Sequence, residues 1–466
     1  MNKKIISSVL LLSVLGLSAC NNDTAPVIDV RAEAMAPVDS FNSKEVREYN
    51  DEGDIEKPLN TVTSSDGLCT INVMPSYFDV TLDFESGSHY DVGKAYAEAI
   101  ELADPEFQSI MEPYIYENIM RAYNGEPNYD ALAERLNTLY DTLDQDYKDE
   151  LDGFSTELSS GRTGFEPDGL FSYEEALLCH MIPDSLRPTA CSALSLWGSK
   201  TATGDRMTLR CLDWGRGSKN QMGRYNSVVR MKNGDKSLTS IGMLGLLDII
   251  SGVNDDGVFV AILDAGSGGK IPYVYEGKKP YTFEIRKCLE TMTDATSVGN
   301  HMVEMSGDFT WCHNLIISDK DNSYCAEDCT AETAAAGLGF SNLRDESTPL
   351  LKGLRWDNPD SLCIINSFIS EGNLDQVTGE YSNTIRFNKY NNWVGAVDKF
   401  KVKDLKDMIT QETVNQYEVY NVHNSGCAQI IIVDYATGAI QAAFTGESDV
   451  LDKPSFIYLG DYDFSN

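Results

Sequence analysis

Histidine is scarce in this chain, with five in 466 residues: His89, His180, His301, His313 and His423. They stand singly, without HxxxH or another ligand spacing, so no metal is expected. Basic residues are also few, 37 Lys and Arg against 72 Asp and Glu. A net charge of −35 opposes binding to phosphate backbones and anionic headgroups, so nucleic acid is not an expected partner. No CxxC occurs among the eleven cysteines. Cys325 and Cys329 are the closest pair, and a disulfide there is compatible with an oxidising compartment but is not fixed by sequence. Beyond the amino-terminal end there is no apolar run long enough for a membrane helix. There is no internal repeat, and no cofactor is called for.

What is present begins at the amino terminus. Met1-Asn2-Lys3-Lys4 is followed by an apolar run from Ile5 to Leu17 and then by small residues. That order describes an export signal over residues 1–19. Leu17-Ser18-Ala19-Cys20 resembles the lipobox of bacterial lipoproteins, which implies lipidation of Cys20 after cleavage before it. The expected place is the cell envelope outside the cytoplasm, with membrane contact through the lipid anchor only. Residues 20–66 are polar and acidic and read as a flexible tether.

Residues 67–190 read as mainly helical. Val92, Ala95, Ala99 and Leu102 recur at helical spacing, as do Leu132, Leu136, Leu139 and Leu143. Another short helix is expected over Tyr173 to Met181. The style changes at Cys191. Strands are expected at Ser192–Trp197, Met207–Leu212, Ser227–Met231, Val258–Leu263, Asn314–Ile317 and Gln429–Val433, with turn signals such as Thr203-Gly204-Asp205 between them. Tyr281–Met292 and Ser361–Ile369 read as helices. Strands grouped apart from helices suggest an α+β layered fold with much antiparallel sheet.

Cys191 opens the first of these strands, and the second ends in Arg210-Cys211-Leu212-Asp213-Trp214. A hairpin would return that end beside Cys191 and set a cation and a carboxylate at the thiol. A nearby arginine favours thiolate and makes sulfur nucleophilic.

Cys191 through Trp214 resembles the opening of the cysteine N-terminal-nucleophile hydrolases, the linear amide hydrolase group that includes choloylglycine (bile salt) hydrolase, penicillin V acylase, acid ceramidase and isopenicillin N acyltransferase. Cys211 stands where that group has Asn. Further pieces resemble it in order: Ser251-Gly252-Val253-Asn254-Asp255-Asp256-Gly257, Cys312-His313-Asn314-Leu315, Ser382-Asn383-Thr384-Ile385-Arg386, and the closing stretch from Gln429 to Phe444. The resemblance spans about residues 140 to 450. It implies an αββα sandwich over 191–466, preceded by a pro-segment over 67–190. It also implies self-cleavage between Ala190 and Cys191, after which the two pieces stay associated.

The resemblance gives Cys191 the role of nucleophile, its freed α-amine that of general base, and Asp213 that of holding the amine. Arg210 would favour the thiolate, Asn314 would donate to the oxyanion, and Arg386 would support the site's charge. Asn254, Asp264 and Trp214 are expected to contact substrate, with Tyr225 and Trp311 as further aromatic lining. The implied activity is hydrolysis of a small-molecule N-acyl amide through an acyl-thioester. Acyl transfer by the same nucleophile, or an inactive binding lipoprotein on the same scaffold, are the alternatives.

Overall fold

The computed structural model describes residues 49–186, 189–265, 273–373, 381–410, 422–447 and 453–462. The export signal, Cys20 and the tether up to residue 48 lie outside the described residues.

The described strands are β1 (Asn60–Thr63), β2 (Cys69–Val73), β3 (Phe78–Asp83), β4 (Thr189–Leu196), β5 (Met207–Trp214), β6 (Asn226–Asn233), β7 (Lys236–Met243), β8 (Ser251–Asn254), β9 (Phe259–Asp264), β10 (His313–Ser318), β11 (Ser323–Asp328), β12 (Asn342–Arg344), β13 (Ser361–Ile364), β14 (Cys427–Asp434), β15 (Ala439–Phe444) and β16 (Ile457–Asp461). They form two sheets, in the orders β1-β2-β3-β6-β7-β8-β9-β10-β11-β12 and β13-β4-β5-β14-β15-β16. The pairings are antiparallel except that of β3 with β6.

Alternation along the smaller sheet shows how the layers stack. Ala193, Leu212, Ile431 and Val433 share one core with Val228, Leu263 and Leu315 of the larger sheet. Their strand neighbours Leu194, Cys211, Ile430 and Ile432 face the other way, into a second core. That outer core is closed by α10 (Tyr381–Ala396) and α11 (Val402–Thr410), through Phe387, Tyr390, Leu405 and Met408. On the larger sheet lie α7 (Tyr281–Thr291) and α8 (Ala295–Met305), which contribute Ile285, Leu289, Val298 and Met302 to the first core. The protein is therefore an α+β structure of helix, sheet, sheet and helix layers, as the resemblance implies.

The part before Cys191 adds α1 (His89–Ala103), α2 (Phe107–Ala122), α3 (Tyr129–Asp141), α4 (Gln145–Ser159), α5 (Tyr173–Cys179) and α6 (Ile182–Leu186). Local sequence explains where several begin. Ser88 accepts from Asp91 N–H, Asn128 accepts from Ala131 N–H, and Ser172 with Glu175 forms a full capping box. The helices α1 and α4 cross closely because Gly93 and Gly153 each face the other helix's backbone, where a Cβ would collide.

Three expectations change here. The tether ends earlier than residue 66: Tyr49 Oη donates to Pro454 O at 2.9 Å, Asp54 bridges Ile457, and residues 60–63 are a strand. The segment 67–190 is less purely helical than its periodicity suggests, because β2 and β3 join it to the large sheet. Ser361–Ile369 is not a helix; Ser361–Ile364 pairs with Leu196–Ala193 as an edge strand.

Candidate active site

The β4–β5 hairpin turns through residues 203–205, where Gly204 takes φ +88°. Its register sets Cys191 opposite Leu212, Ala193 opposite Arg210, and Ala190 opposite Asp213. Cys191, Ala193, Arg210 and Leu212 thus share the face turned to the large sheet. Arg210 Nη2 reaches the Cys191 sulfur at 3.4 Å and donates to Ile262 O at 3.0 Å. Both side chains are wholly buried, and Arg210 Nε and Nη1 have no hydrogen-bond partner among the described residues.

A guanidinium keeps its charge in any protein setting, so burying it with two unpaired donors leaves a fixed positive field beside the sulfur. Burial pushes the Cys191 thiol up to about 11 in spite of the opposing pull of Arg210. The intact chain therefore holds a thiol at neutral pH, and a proton acceptor must act before it becomes nucleophilic.

Around the backbone of Cys191 lies a hydrogen-bonded ring. Its N–H donates to Asn366 Oδ1 at 2.7 Å, and its carbonyl accepts from Arg386 Nη1 at 3.1 Å. Arg386 also bonds Asp213 Oδ2 at 3.2 Å, Asn366 Oδ1 at 2.8 Å and Asn383 Oδ1 at 2.6 Å. Asn424 Nδ2 donates to the second Asp213 oxygen at 3.3 Å. Burial raises the Asp213 carboxyl to about 6, with Arg386 and Asn424 pulling the other way. Arg386 stands on α10 but points inward and is 5% exposed, so it is no surface residue.

Of the residues expected from sequence, Cys191, Arg210, Asp213 and Arg386 lie together. Asp264 is next to them through its carbonyl, which accepts from Asn366 Nδ2 at 2.7 Å. Asn314 does not fit the oxyanion role. Its Nδ2 already donates to Ile365 O at 2.8 Å and to Ser367 O at 3.1 Å, which takes up both amide hydrogens. It holds the loop that carries Asn366.

Asn254 is likewise structural rather than substrate-facing. Its Nδ2 ties down Leu289 O and Met292 O at the end of α7, while its Oδ1 accepts from Val258 N–H. Tyr225 is core: its hydroxyl donates to Asp104 and its ring packs on Phe78 and Phe107. Trp214 donates to Tyr114 Oη and borders a cavity of about 10 Å³ with Met111, Met222 and Met243. Trp311 packs on Tyr273, with ring centroids 4.6 Å apart. Cys211 faces the outer core, away from the thiol, so its departure from Asn does not alter the inner face. Cys325 pairs with Ile316, whereas Cys329 follows Asp328 directly and so comes opposite Cys312 across β10 and β11.

Two residues at the site were not among the expected ones. Asn366 was hidden because its segment was read as a helix. Tyr281 opens α7, and burial together with the charges of Asp184, Asp264, Asp248 and Cys191 raises its hydroxyl well above the usual phenol range. Its only sequence signal is a position just after Pro280, at a helix start.

No family model matches the chain, and no curated protein matches it. Among solved structures it is similar to a Caenorhabditis elegans ortholog of N-acylethanolamine-hydrolyzing acid amidase, at 11% identity over 58% of this chain and 100% of that one, with a TM-score of 0.37. It is similar to a mutant form of the conjugated bile acid hydrolase of Clostridium perfringens, at 14% identity over 55% and 89% of the two chains, with a TM-score of 0.34. A third similarity is to penicillin V acylase from Agrobacterium tumefaciens, at 11% identity over 55% and 83%, with a TM-score of 0.32. All three are hydrolases of the linear amide group that the sequence resembles, the likenesses are distant, and the site stands on its own geometry.

Proposed function

We propose that this chain is an exported, lipid-anchored amidase that hydrolyses linear amide bonds of small N-acyl compounds, with Cys191 as nucleophile once self-cleavage has made it amino-terminal. The observation that carries the reading is the pairing of a buried thiol with the open donors of Arg210, inside a ring that grips the same residue's main chain.

The chemistry follows from what the thiol lacks. With a pKa near 11 it needs a base, and no histidine contacts Cys191 among the described hydrogen bonds. Cleavage after Ala190 turns the Cys191 nitrogen from an amide into an α-amine, whose ordinary pKa of about 7.7–8.0 suits it to take the thiol proton. The thiolate attacks the acyl carbonyl, the amine leaves with that proton, and water then splits the acyl-thioester. Arg210 stabilises the sulfur's charge. Asn366, whose Oδ1 accepts from the Cys191 nitrogen and whose Nδ2 gives one hydrogen to Asp264 O, has a second amide hydrogen with which to donate to the oxyanion after the chain has opened. Arg386 couples Asp213 to Asn366 and holds both in place.

The test is amine release from a panel of N-acyl compounds by wild type and Cys191→Ala. Release by wild type alone supports the reading, and equal release by both removes it. An added free amine that captures the acyl group would mark acyl transfer instead of hydrolysis. Anchoring through Cys20 is tested separately, by whether Cys20→Ser moves the protein out of the membrane fraction.

A further inference from the structure

The chain just upstream of the Ala190–Cys191 junction is held from several sides. All five residues of α6 are buried. From its middle, Asp184 reaches across to the part after Cys191. Its Oδ1 accepts from Tyr281 N–H at 2.6 Å, and its Oδ2 accepts from the Thr282 hydroxyl at 2.6 Å. Those residues begin α7, whose own preceding residue, Pro280, makes no side-chain cap. A helix start carries orphan N–H groups that a nearby carboxylate satisfies. Here the carboxylate comes from a distant part of the chain, seven positions before Cys191.

The backbone of the same segment is fixed as well. Asp184 O accepts from Tyr273 Oη at 2.9 Å, and Ser185 O accepts from Arg135 Nη1 at 2.7 Å. The Arg135 guanidinium lies over the Tyr273 ring, 4.0 Å from its centroid.

We infer that Asp184 is a positioning residue for self-cleavage: by capping α7 it anchors the upstream chain so that the Ala190 carbonyl meets the Cys191 thiol. The inference rests on the cleavage proposed above and adds a residue to it. In that step a bond forms from Cys191 Sγ to the Ala190 carbonyl carbon. The bond from that carbon to the Cys191 nitrogen breaks, and the nitrogen takes the proton that the thiol gave up. Water then hydrolyses the thioester, leaving the Ala190 carboxylate and restoring the thiol.

The experiment follows the full-length chain by denaturing gel and intact mass as it matures. Misplacing reacting groups by about 1 Å costs on the order of 100-fold, so Asp184→Ala is expected to slow the appearance of the Cys191 piece by about that factor. Asp184→Asn keeps an acceptor for Tyr281 N–H and is expected to recover much of the rate. Per cut chain, counted by the acyl-thioester burst, kcat of the alanine variant should stay within about twofold of wild type. A merely structural residue would instead lower the melting temperature, cleavage and kcat together in both variants, and that result overturns the inference. So does cleavage of Asp184→Ala at the wild-type rate. Should Asp184→Ala lose its cooperative melt, Thr282→Val decides: slower cleavage with an intact melt supports the clamp, and unchanged cleavage ends it. Uncut but active wild type would end the self-cleavage reading itself, whatever Asp184 does.

Discussion

The β4–β5 ladder carries buried polar side chains at both ends of its inner face, and the two ends differ in kind. Near the turn, Ser195 Oγ lies 3.0 Å from Thr208 Oγ1 and 2.7 Å from Ser323 Oγ, Thr208 donates to Ser318 at 3.0 Å, and Ser318 meets Tyr435 Oη at 2.9 Å. Hydroxyls both donate and accept and rotate freely, so such a network closes on itself. Two residues past Thr208, toward the Cys191 end, stands Arg210, a rigid fork of donors with no acceptor and with two of its nitrogens unpaired among the described residues. The strands and the depth of burial are the same. What separates scaffold from reactive site is whether the buried donors have found partners, because an open donor costs stability and remains available to a charge that forms later.

The largest effect should come from deleting the sulfur. Cys191→Ala is expected to reduce turnover to background, a loss on the order of 10⁶-fold of the kind that removal of a nucleophile produces, and to leave the chain in one piece. Next is the cation: Arg210→Met, which fills similar space without charge, should lower kcat by about 100-fold while the protein keeps its melt. A stable but fully active Arg210→Met would erase the distinction between the two ends.

The two asparagines sharpen the comparison further. Asn366→Ala is expected to lower kcat by about 100-fold or more with KM little changed, since an oxyanion exists only near the transition state. Asn314→Ala should show itself first in stability, by about 1–3 kcal/mol, because it strips the partners from two buried loop carbonyls. Thermal melts and steady-state kinetics on the two variants check the assignment, and the reverse pattern would return the oxyanion role to Asn314.

The pH dependence follows from Asp213, whose carboxyl is raised by burial from the usual range near 3.9 to about 6. As pH falls the α-amine protonates first, near its ordinary value of about 7.7–8.0, and then Asp213 gains a proton near 6 and loses its ion pair with Arg386, so the acid-side decline of kcat/KM should steepen through about 6. The stability effect has the opposite sign. A carboxyl whose folded pKa is raised is disfavoured in the folded state above its unfolded pKa, so Asp213→Asn should be at least as stable as wild type at pH 7 while losing activity. The smallest effect belongs to the hydroxyl network: Ser195→Ala should cost about 1 kcal/mol of stability and leave kcat unchanged.

Much of this was legible from the sequence. The period-2 and helical patterns placed β4, β5, β9, β10, β14 and α7 within a few residues, and the hairpin brought Arg210 and Asp213 to Cys191. What escaped has one cause. Ser361-Leu362-Cys363-Ile364 is an edge strand covered on both faces, so it shows no alternation and reads equally well as buried helix. Only its pairing with β4 decides, and that is a long-range contact. The misreading hid Asn366, two residues past the end of the strand, while the resemblance gave the oxyanion role to Asn314. Asp184 was invisible for a similar reason: nothing local in Ile182-Pro183-Asp184-Ser185 shows that it caps a helix that begins near residue 281.

The account's central claim is that Cys191 becomes amino-terminal and carries the acyl group. Intact mass and amino-terminal sequencing of the matured protein, before and after exposure to an N-acyl compound that it turns over, test it directly. The account predicts a carboxyl-terminal piece that begins at Cys191, gains the mass of the acyl group, and loses it again with hydroxylamine. An active chain that stays whole, or an acyl adduct that forms equally on Cys191→Ala, would contradict it.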